Sequence, residues 1–101
     1  MSRTFYSDYV RHAMRFYSRT VGTTPPQFKT EVDKLNWMSC HAVVKTYSEK
    51  ERDILVTVYG GYDTLPDEVY GASKKFGIHQ NIIWDMMKDF ERKVAKKRLL
   101  V

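Results

Sequence analysis

Signals that start and stop helices recur along this chain and restrict it to a fold of short helices. Three tetrapeptides place a Ser or Thr cap three residues before an acidic residue: "TEVD" at 30–33, "SEKE" at 48–51 and "TLPD" at 64–67. Gly60-Gly61 and Gly77 stand where helices would end, because glycine readily leaves the helical conformation. Apolar residues recur at helical spacing, and no segment shows sustained strand alternation. We therefore predict an all-α domain of four to five helices.

The first part of the chain is predicted to form two amphipathic helices. Helix one would start at an N-cap, Thr4, and reach about Arg19, with an apolar stripe of Phe5, Tyr9, Ala13, Phe16 and Tyr17. A second stripe holds Arg3, Ser7, Arg11, Arg15 and Arg19, which we interpret as a solvated face, with phosphate contact as the alternative. The segment "TVGTTPPQF" at 20–28 is the predicted linker. Helix two would share one face among Val32, Leu35, Ser39, Ala42 and Val43.

Length and cysteine content narrow the class of protein. A chain of 101 residues is typical of one domain. Its single cysteine, Cys40, excludes an internal disulfide, and no segment approaches the apolar length of a membrane span. We expect a cytoplasmic protein with no membrane partner.

The positive charge is concentrated near the C-terminus. The formal net charge is +5, and residues 88–101 hold six Lys or Arg against Asp89 and Glu91, a net of +4. This asymmetry indicates a patch for nucleic acid or another anionic surface. The alternative is a solvated helix end whose cations complement the helix dipole.

The spacing of residues 64–98 is typical of a helix-turn-helix. A short helix after Thr64 would stop at Gly77, and a longer helix would run from near His79 toward Arg98. The small Ser73 stands four residues before Gly77, where the two helices come close. Apolar contacts are expected from Ala72, Phe76, Ile78, Ile83 and Met86.

The last helix has two predicted faces. Ile83, Met87, Phe90 and Val94 form the core stripe, and Asn81, Asp85, Lys88 and Arg92 lie opposite. The candidates for contact with base edges in double-stranded DNA are His79, Gln80, Asn81, Trp84 and Asp85. The candidates for phosphate contact are Lys88, Arg92, Lys93, Lys96, Lys97 and Arg98. Asp85 is negative and Trp84 is large, and both favour the alternative of a protein contact.

Residues 47–101 resemble region 4 of bacterial sigma factors. The matching residues are "EKERDIL" at 49–55, Ala72, Phe76-Gly77-Ile78, Ile83 and the tail "RKVAKKR" at 92–98. The resemblance implies a domain of three or four helices that binds promoter-type DNA, or a small regulator built on that domain. The chain departs from the family in having "EVYGAS" where an "EIA"-like start is usual, and His79 where Ser or Thr is usual.

We therefore predict a small sigma-like transcription regulator of the sort found in phages and mobile elements. Residues 47–101 would be the helix-turn-helix unit, with RNA polymerase or another protein as a further partner. Residues 1–46 match no part of the family that grips the polymerase, so they are assigned to packing or to homodimer formation. Two alternatives stay open: a protein-interaction module that keeps the motif without DNA binding, and a DNA-packaging protein like the small terminase subunit of a phage.

Other chemistry has little support in the sequence. Cys40 and His41 are adjacent, while His12 and His79 lie far away, so no zinc-binding spacing exists. No phosphate-binding loop surrounds Gly60-Gly61. We expect no metal, no cofactor, no catalytic residue and no enzymatic activity.

Overall fold

The computed structural model describes residues 6–22 and 27–99, and within these ranges the chain forms five helices and no strand. They are α1 (Ser7–Thr20), α2 (Glu31–Val44), α3 (Glu49–Gly60), α4 (Leu65–Phe76) and α5 (Gln80–Lys97). The prediction of an all-α fold with four to five helices is confirmed. No helix in the described part of the chain has both the length and the apolar character needed to cross a bilayer.

The predicted caps start three of the helices. The Thr30 hydroxyl accepts the N–H of Asp33 at 3.1 Å, and the Thr64 hydroxyl accepts the N–H of Asp67 at 3.4 Å. Ser48 and Glu51 form the full reciprocal capping box. The proposed cap Thr4 and residues 23–26 of the predicted linker lie outside the described residues.

The buried face of α1 differs from the predicted stripe. The core residues of this helix are Val10, Ala13, Met14 and Tyr17, whereas Tyr9 and Phe16 are exposed. The prediction was therefore wrong at Tyr9 and Phe16, and Phe5 lies outside the described residues. Both rings make contacts outside the core instead. Tyr9 Oη donates to Asn36, and Phe16 forms an edge-to-face contact with Phe28.

The arginine stripe of α1 is not a simple solvated face. Ser7 is buried, and Arg11 forms an ion pair with Glu91 of α5. Arg19 donates to the carbonyls of Gly60 and Gly61 at 3.3 and 3.0 Å, which satisfies free acceptors at the end of α3. Arg15 is exposed as expected. The stripe therefore ties α1 to two other helices.

An aromatic cluster sets the orientation of α2. The Trp37 indole N–H donates to the Thr20 hydroxyl at 2.8 Å, and the ring stacks on His41 with centroids 5.0 Å apart. Tyr17 Oη lies 2.9 Å from Nδ1 of His41. These contacts turn Cys40, Val43 and Val44 into the core and leave Val32 and Leu35 exposed. Of the five residues predicted to share a face of α2, Val43 is buried and Ser39 and Ala42 are half-buried, so this face is only partly turned toward the core.

The core joins all five helices. α1 packs against α2, α3 and α5, while α4 packs against α3 and α5, and α2 packs against α5. The residues predicted to be apolar in α3, Ile54, Leu55 and Val58, are all buried. The predicted boundary at residue 46 falls between α2 and α3, and α5 contacts helices on both sides of it.

One carboxylate is buried in this core. Glu91 on α5 is 2% exposed, and its Oε2 accepts from Tyr59 Oη at 2.6 Å and from Arg11 Nε at 2.9 Å. Burial raises the pKa of Tyr59 well above its ordinary value, and the neighbouring Glu91 charge raises it further. The phenol therefore keeps its proton and remains a donor. The three side chains connect α5 to α1 and α3.

We predict that Arg11→Met lowers the free energy of unfolding by about 3 kcal/mol, because it leaves the Glu91 carboxylate buried without its cation. The double variant Arg11→Met/Glu91→Gln should recover at least about 1 kcal/mol of this loss, since the amide is neutral and still accepts from Tyr59. Urea denaturation followed by circular dichroism measures both. Arg15→Met, on the same helix but exposed, is the matched control; an equal loss in Arg11→Met and Arg15→Met would contradict the role given to Arg11.

We also predict that Cys40 is inert in the folded protein. Its side chain is fully buried, and burial raises the pKa of the thiol to about 12. At pH 8, Ellman's reagent should modify it on the order of a hundredfold more slowly than in urea, because reaction requires opening of the fold. An exposed thiol introduced by Lys34→Cys provides the fast reference. Equal rates for the two thiols would show that Cys40 is accessible.

Candidate nucleic-acid interface

The turn between α4 and α5 is built around a left-handed glycine. Gly77 has φ +66° and ψ 37°, and its N–H bonds to the carbonyl of Ser73 at 3.0 Å. The N–H of Ile78 bonds to the same carbonyl, and the Ser73 hydroxyl donates to the carbonyl of Ile78. A Cβ at Gly77 would meet open space, so the backbone angle alone is what favours glycine here. The short side chain predicted at Ser73 thus closes the turn through hydrogen bonds.

His79 caps the helix that follows the turn. It is the N-cap of α5, and its Nδ1 accepts the backbone N–H of Asn81 at 3.1 Å. The ring therefore does what the hydroxyl of Ser or Thr does at other helix starts. His79 and Asn81 are both exposed at the first turn of α5.

α5 separates its side chains into two faces as predicted. Ile83, Met87, Phe90 and Val94 are all buried, which confirms the core stripe. Asn81, Asp85, Lys88 and Arg92 are all exposed on the opposite face. Lys96 continues this face by one turn and is also exposed. We call the set Asn81, Asp85, Lys88, Arg92 and Lys96 the outer face of α5.

The five candidates for base contact are not equally available. His79, Asn81 and Asp85 are exposed, whereas Gln80 and Trp84 are half-buried. Trp84 packs against the hydrophobic core, so much of its ring is occupied inside the domain. Ile82, which was not among the predicted contacts, is 54% exposed. Its exposure shows that it points away from the core.

The six candidates for phosphate contact divide into two groups. Lys88, Lys96 and Lys97 are exposed, and within the described residues none of them takes part in an ion pair. Arg92 and Lys93 bind Asp89 at 3.0 and 2.9 Å. Arg98 is half-buried and donates to Asn36 of α2 at 2.7 Å.

Asp89 organises the middle of α5 and was not singled out from the sequence. Its carboxylate accepts from Lys93 and Arg92 and also from Tyr47 Oη at 2.7 Å. The hydrogen bond from Lys93, followed by that from Tyr47, lowers the pKa of Asp89 to about 2. The charge is therefore present throughout the physiological range and offsets part of the local positive charge. The spacing of Asp89 to Arg92 and Lys93 is the i, i+3 and i, i+4 signal that could have identified it.

The start of α1 borders the outer face of α5. Tyr6 lines a shallow cleft of about 220 Å³ together with Asp85, Lys88, Asp89 and Arg92. Two carboxylates and two cations alternate along this cleft, so its electrostatic character is mixed. The more uniformly positive stretch lies further along, at Lys96 and Lys97.

Two further cations lie beside the turn. Lys74 and Lys75 occupy the last turn of α4 and are exposed, within three residues of Gly77. Their ammonium groups lie 5.4 Å from the ring centroids of Tyr70 and Phe76, respectively. They belong to the helix-turn-helix segment but were not assigned a role from the sequence. Unlike the mid-helix cleft, this end of the unit has positive charge without a paired acid among the described residues.

The described residues contain no group of His, Cys, Asp and Glu side chains that could hold a metal ion. Comparison with protein-family models, with curated proteins and with solved structures gave no match to this chain. The resemblance of residues 47–101 to sigma region 4 therefore stays a prediction.

We predict that Asp89→Asn destabilises the fold at pH 7 by about 0.5–1 kcal/mol, a small value because the ion pairs are partly exposed. The folded-state pKa of Asp89 is lowered. Its contribution to the free energy of unfolding is therefore present above the unfolded pKa and is lost as the pH falls from about 4 toward 2. Urea denaturation at pH 7 and near pH 3 measures the difference. Asp85→Asn, an exposed acid on the same helix, is the control; an Asp89→Asn effect that did not shrink in acid would contradict this assignment.

Proposed function

We propose that α4, the Gly77 turn and α5 form a helix-turn-helix that binds double-stranded DNA and regulates transcription. The observation that supports it most is the outer face of α5, which is polar, exposed and placed directly after a tight turn. A helix with its side chains is about 10–12 Å across, and the major groove of B-DNA is about 12 Å wide. The resemblance to sigma region 4 points to the same use of the unit.

Asn81 is the residue we assign to base recognition. Its amide can pair with the N6 and N7 edge of adenine, and its exposure in the first turn of α5 suits the part of a recognition helix that reaches bases. Asp85, one turn further, can accept from cytosine N4. His79 uses Nδ1 to cap the helix, which leaves Nε2 for a contact.

Positive residues at both ends of α5 are assigned to the phosphate backbone. Lys96 and Lys97 lie near its end, and Lys74 and Lys75 lie beside its start. Arg92 and Lys93 share Asp89, so their contribution to affinity is expected to be smaller. Phosphate contacts at two separated points would fix the orientation of α5 in the groove.

Protein contact is the second candidate, and exposed apolar side chains favour it. Ile82 on α5 and Tyr70 on α4 are each 54% exposed, and Asp85 carries a negative charge close to Ile82. An apolar and acidic surface of this kind suits another protein better than a polyanion. The two candidates differ in their dependence on salt.

We predict that duplex DNA binds with strong salt dependence. About four phosphate contacts should weaken binding on the order of a hundredfold between about 50 and 200 mM salt. Fluorescence anisotropy with a labelled random-sequence duplex measures this, and selection from a random pool should yield a sequence motif. Binding that is absent, or insensitive to salt, would overturn the proposal and favour protein contact.

Two substitutions separate the assigned roles. Lys96→Ala should weaken all duplexes alike and reduce the salt slope by about one, while Asn81→Ala should blur one base position of the selected motif. Arg52→Ala removes an exposed cation on α3, outside α4, the Gly77 turn and α5, and should change neither property.

A further inference from the structure

An exposed apolar stripe runs along α2 on the side away from the core. It consists of three exposed large residues, Val32, Leu35 and Met38, which are 50%, 45% and 52% exposed, and two half-buried small residues, Ser39 and Ala42. We call these five the α2 outer stripe. With a rise of 1.5 Å per residue it is about 15 Å long.

The domain itself leaves the three large residues of this stripe largely uncovered. Cys40, Val43 and Val44 point from α2 into the core, where the helix packs on α1 and α5. Trp37 and His41 occupy its flank against Tyr17 of α1. An amphipathic helix with one buried side normally presents polar residues on the other, so a second apolar side needs its own explanation.

The sizes along the stripe make it complementary to itself. Large side chains lie toward the start of α2, and small ones lie toward its end. If a second α2 lies antiparallel, with the two-fold axis between Met38 and Ser39, Leu35 faces Ala42 of the other copy and Met38 faces Ser39. Leu35 and Met38 then each meet a small residue, which lets the two helices approach closely, while Val32 lies at the edge of the contact across from position 45.

The charges along the stripe are also complementary to themselves. Glu31 stands exposed at the start of α2, and Lys45 stands exposed directly after its end. Within the described residues neither takes part in an ion pair. An antiparallel pair brings Glu31 of each copy next to Lys45 of the other, which gives two equivalent contacts. A parallel pair would instead place like charges together. The helix dipoles also oppose each other favourably in the antiparallel arrangement.

We infer that the α2 outer stripe is the contact surface for a second copy of this chain, paired antiparallel about a two-fold axis. No residue of α5 takes part, so the inference stands apart from the proposal of DNA binding and can fail or succeed separately. Three apolar side chains and their neighbours would bury less surface than the roughly 800 Å² per partner of a standard interface. The dimer is therefore weak, with a dissociation constant on the order of 10–100 µM.

Sedimentation of the protein alone, from about 5 to 300 µM, tests the existence of the dimer. The weight-average mass should rise toward that of two chains, and Leu35→Glu should hold it at one chain, because a buried unpaired carboxylate opposes association. Leu99→Glu is the matched control, since Leu99 is an exposed leucine outside the stripe and 87% exposed. A wild-type protein that stays at one chain throughout, or a Leu99→Glu effect equal to that of Leu35→Glu, overturns the inference.

A charge exchange tests the antiparallel arrangement. Glu31→Lys alone and Lys45→Glu alone each place like charges together at both ends, so each should weaken self-association by about tenfold. An equimolar mixture of the two single variants should restore it. In the mixed pair the lysine introduced at position 31 meets the glutamate introduced at position 45, and at the other end the native Lys45 meets the native Glu31. Thermal denaturation confirms that both variants are folded. A mixture that associates no better than either variant alone overturns the antiparallel pairing.

Discussion

The carboxylate of Glu91 is the interaction on which the arrangement of helices most depends. It lies in the core between α1, α3 and α5, and its two donors come from helices far apart in sequence. A buried charge is tolerated only where its partners are held in place, so Arg11 and Tyr59 cannot move without a large loss of stability. Rotation of α5 about its own axis would pull Glu91 away from both donors. The same contact, together with the buried apolar residues of α5, therefore determines which side of α5 faces outward.

Local signals in the sequence predicted the helices well, and long-range packing was harder to predict. The caps at Thr30, Ser48 and Thr64 act within one turn, and the Gly77 turn needs only its own backbone angles. The faces of α1 and α2 depend on which helices lie beside them. Tyr9 and Phe16 fit an apolar stripe by spacing, but the core selected Val10 and Met14 instead. A buried Glu91 could not be anticipated, because its partner Arg11 is 80 residues distant.

In the candidate interface, too, local features were predictable from the sequence and long-range contacts were not. The core stripe of α5 and its exposed counterpart follow from the helical period, so both were predictable. Which individual side chains are free to contact a ligand was not predictable, because this depends on neighbouring residues in the fold. Arg98 is engaged by Asn36 of α2, and Trp84 is partly taken up by the core. The positive charge counted along the sequence is thus larger than the charge that is free to meet a ligand.

The Arg11–Glu91 pair also has a consequence for the order in which the domain can assemble. During synthesis α1 leaves the ribosome before α5, so the Arg11 guanidinium has no carboxylate to bind until Glu91 of α5 has emerged. α1 and α2 can dock through Tyr17 and Trp37 before then, with the other side of α1 still open to water. Completion of the core must therefore wait until α5 has emerged. We expect closure over so long a loop to make folding slower than is typical of a small helical bundle with only neighbouring contacts.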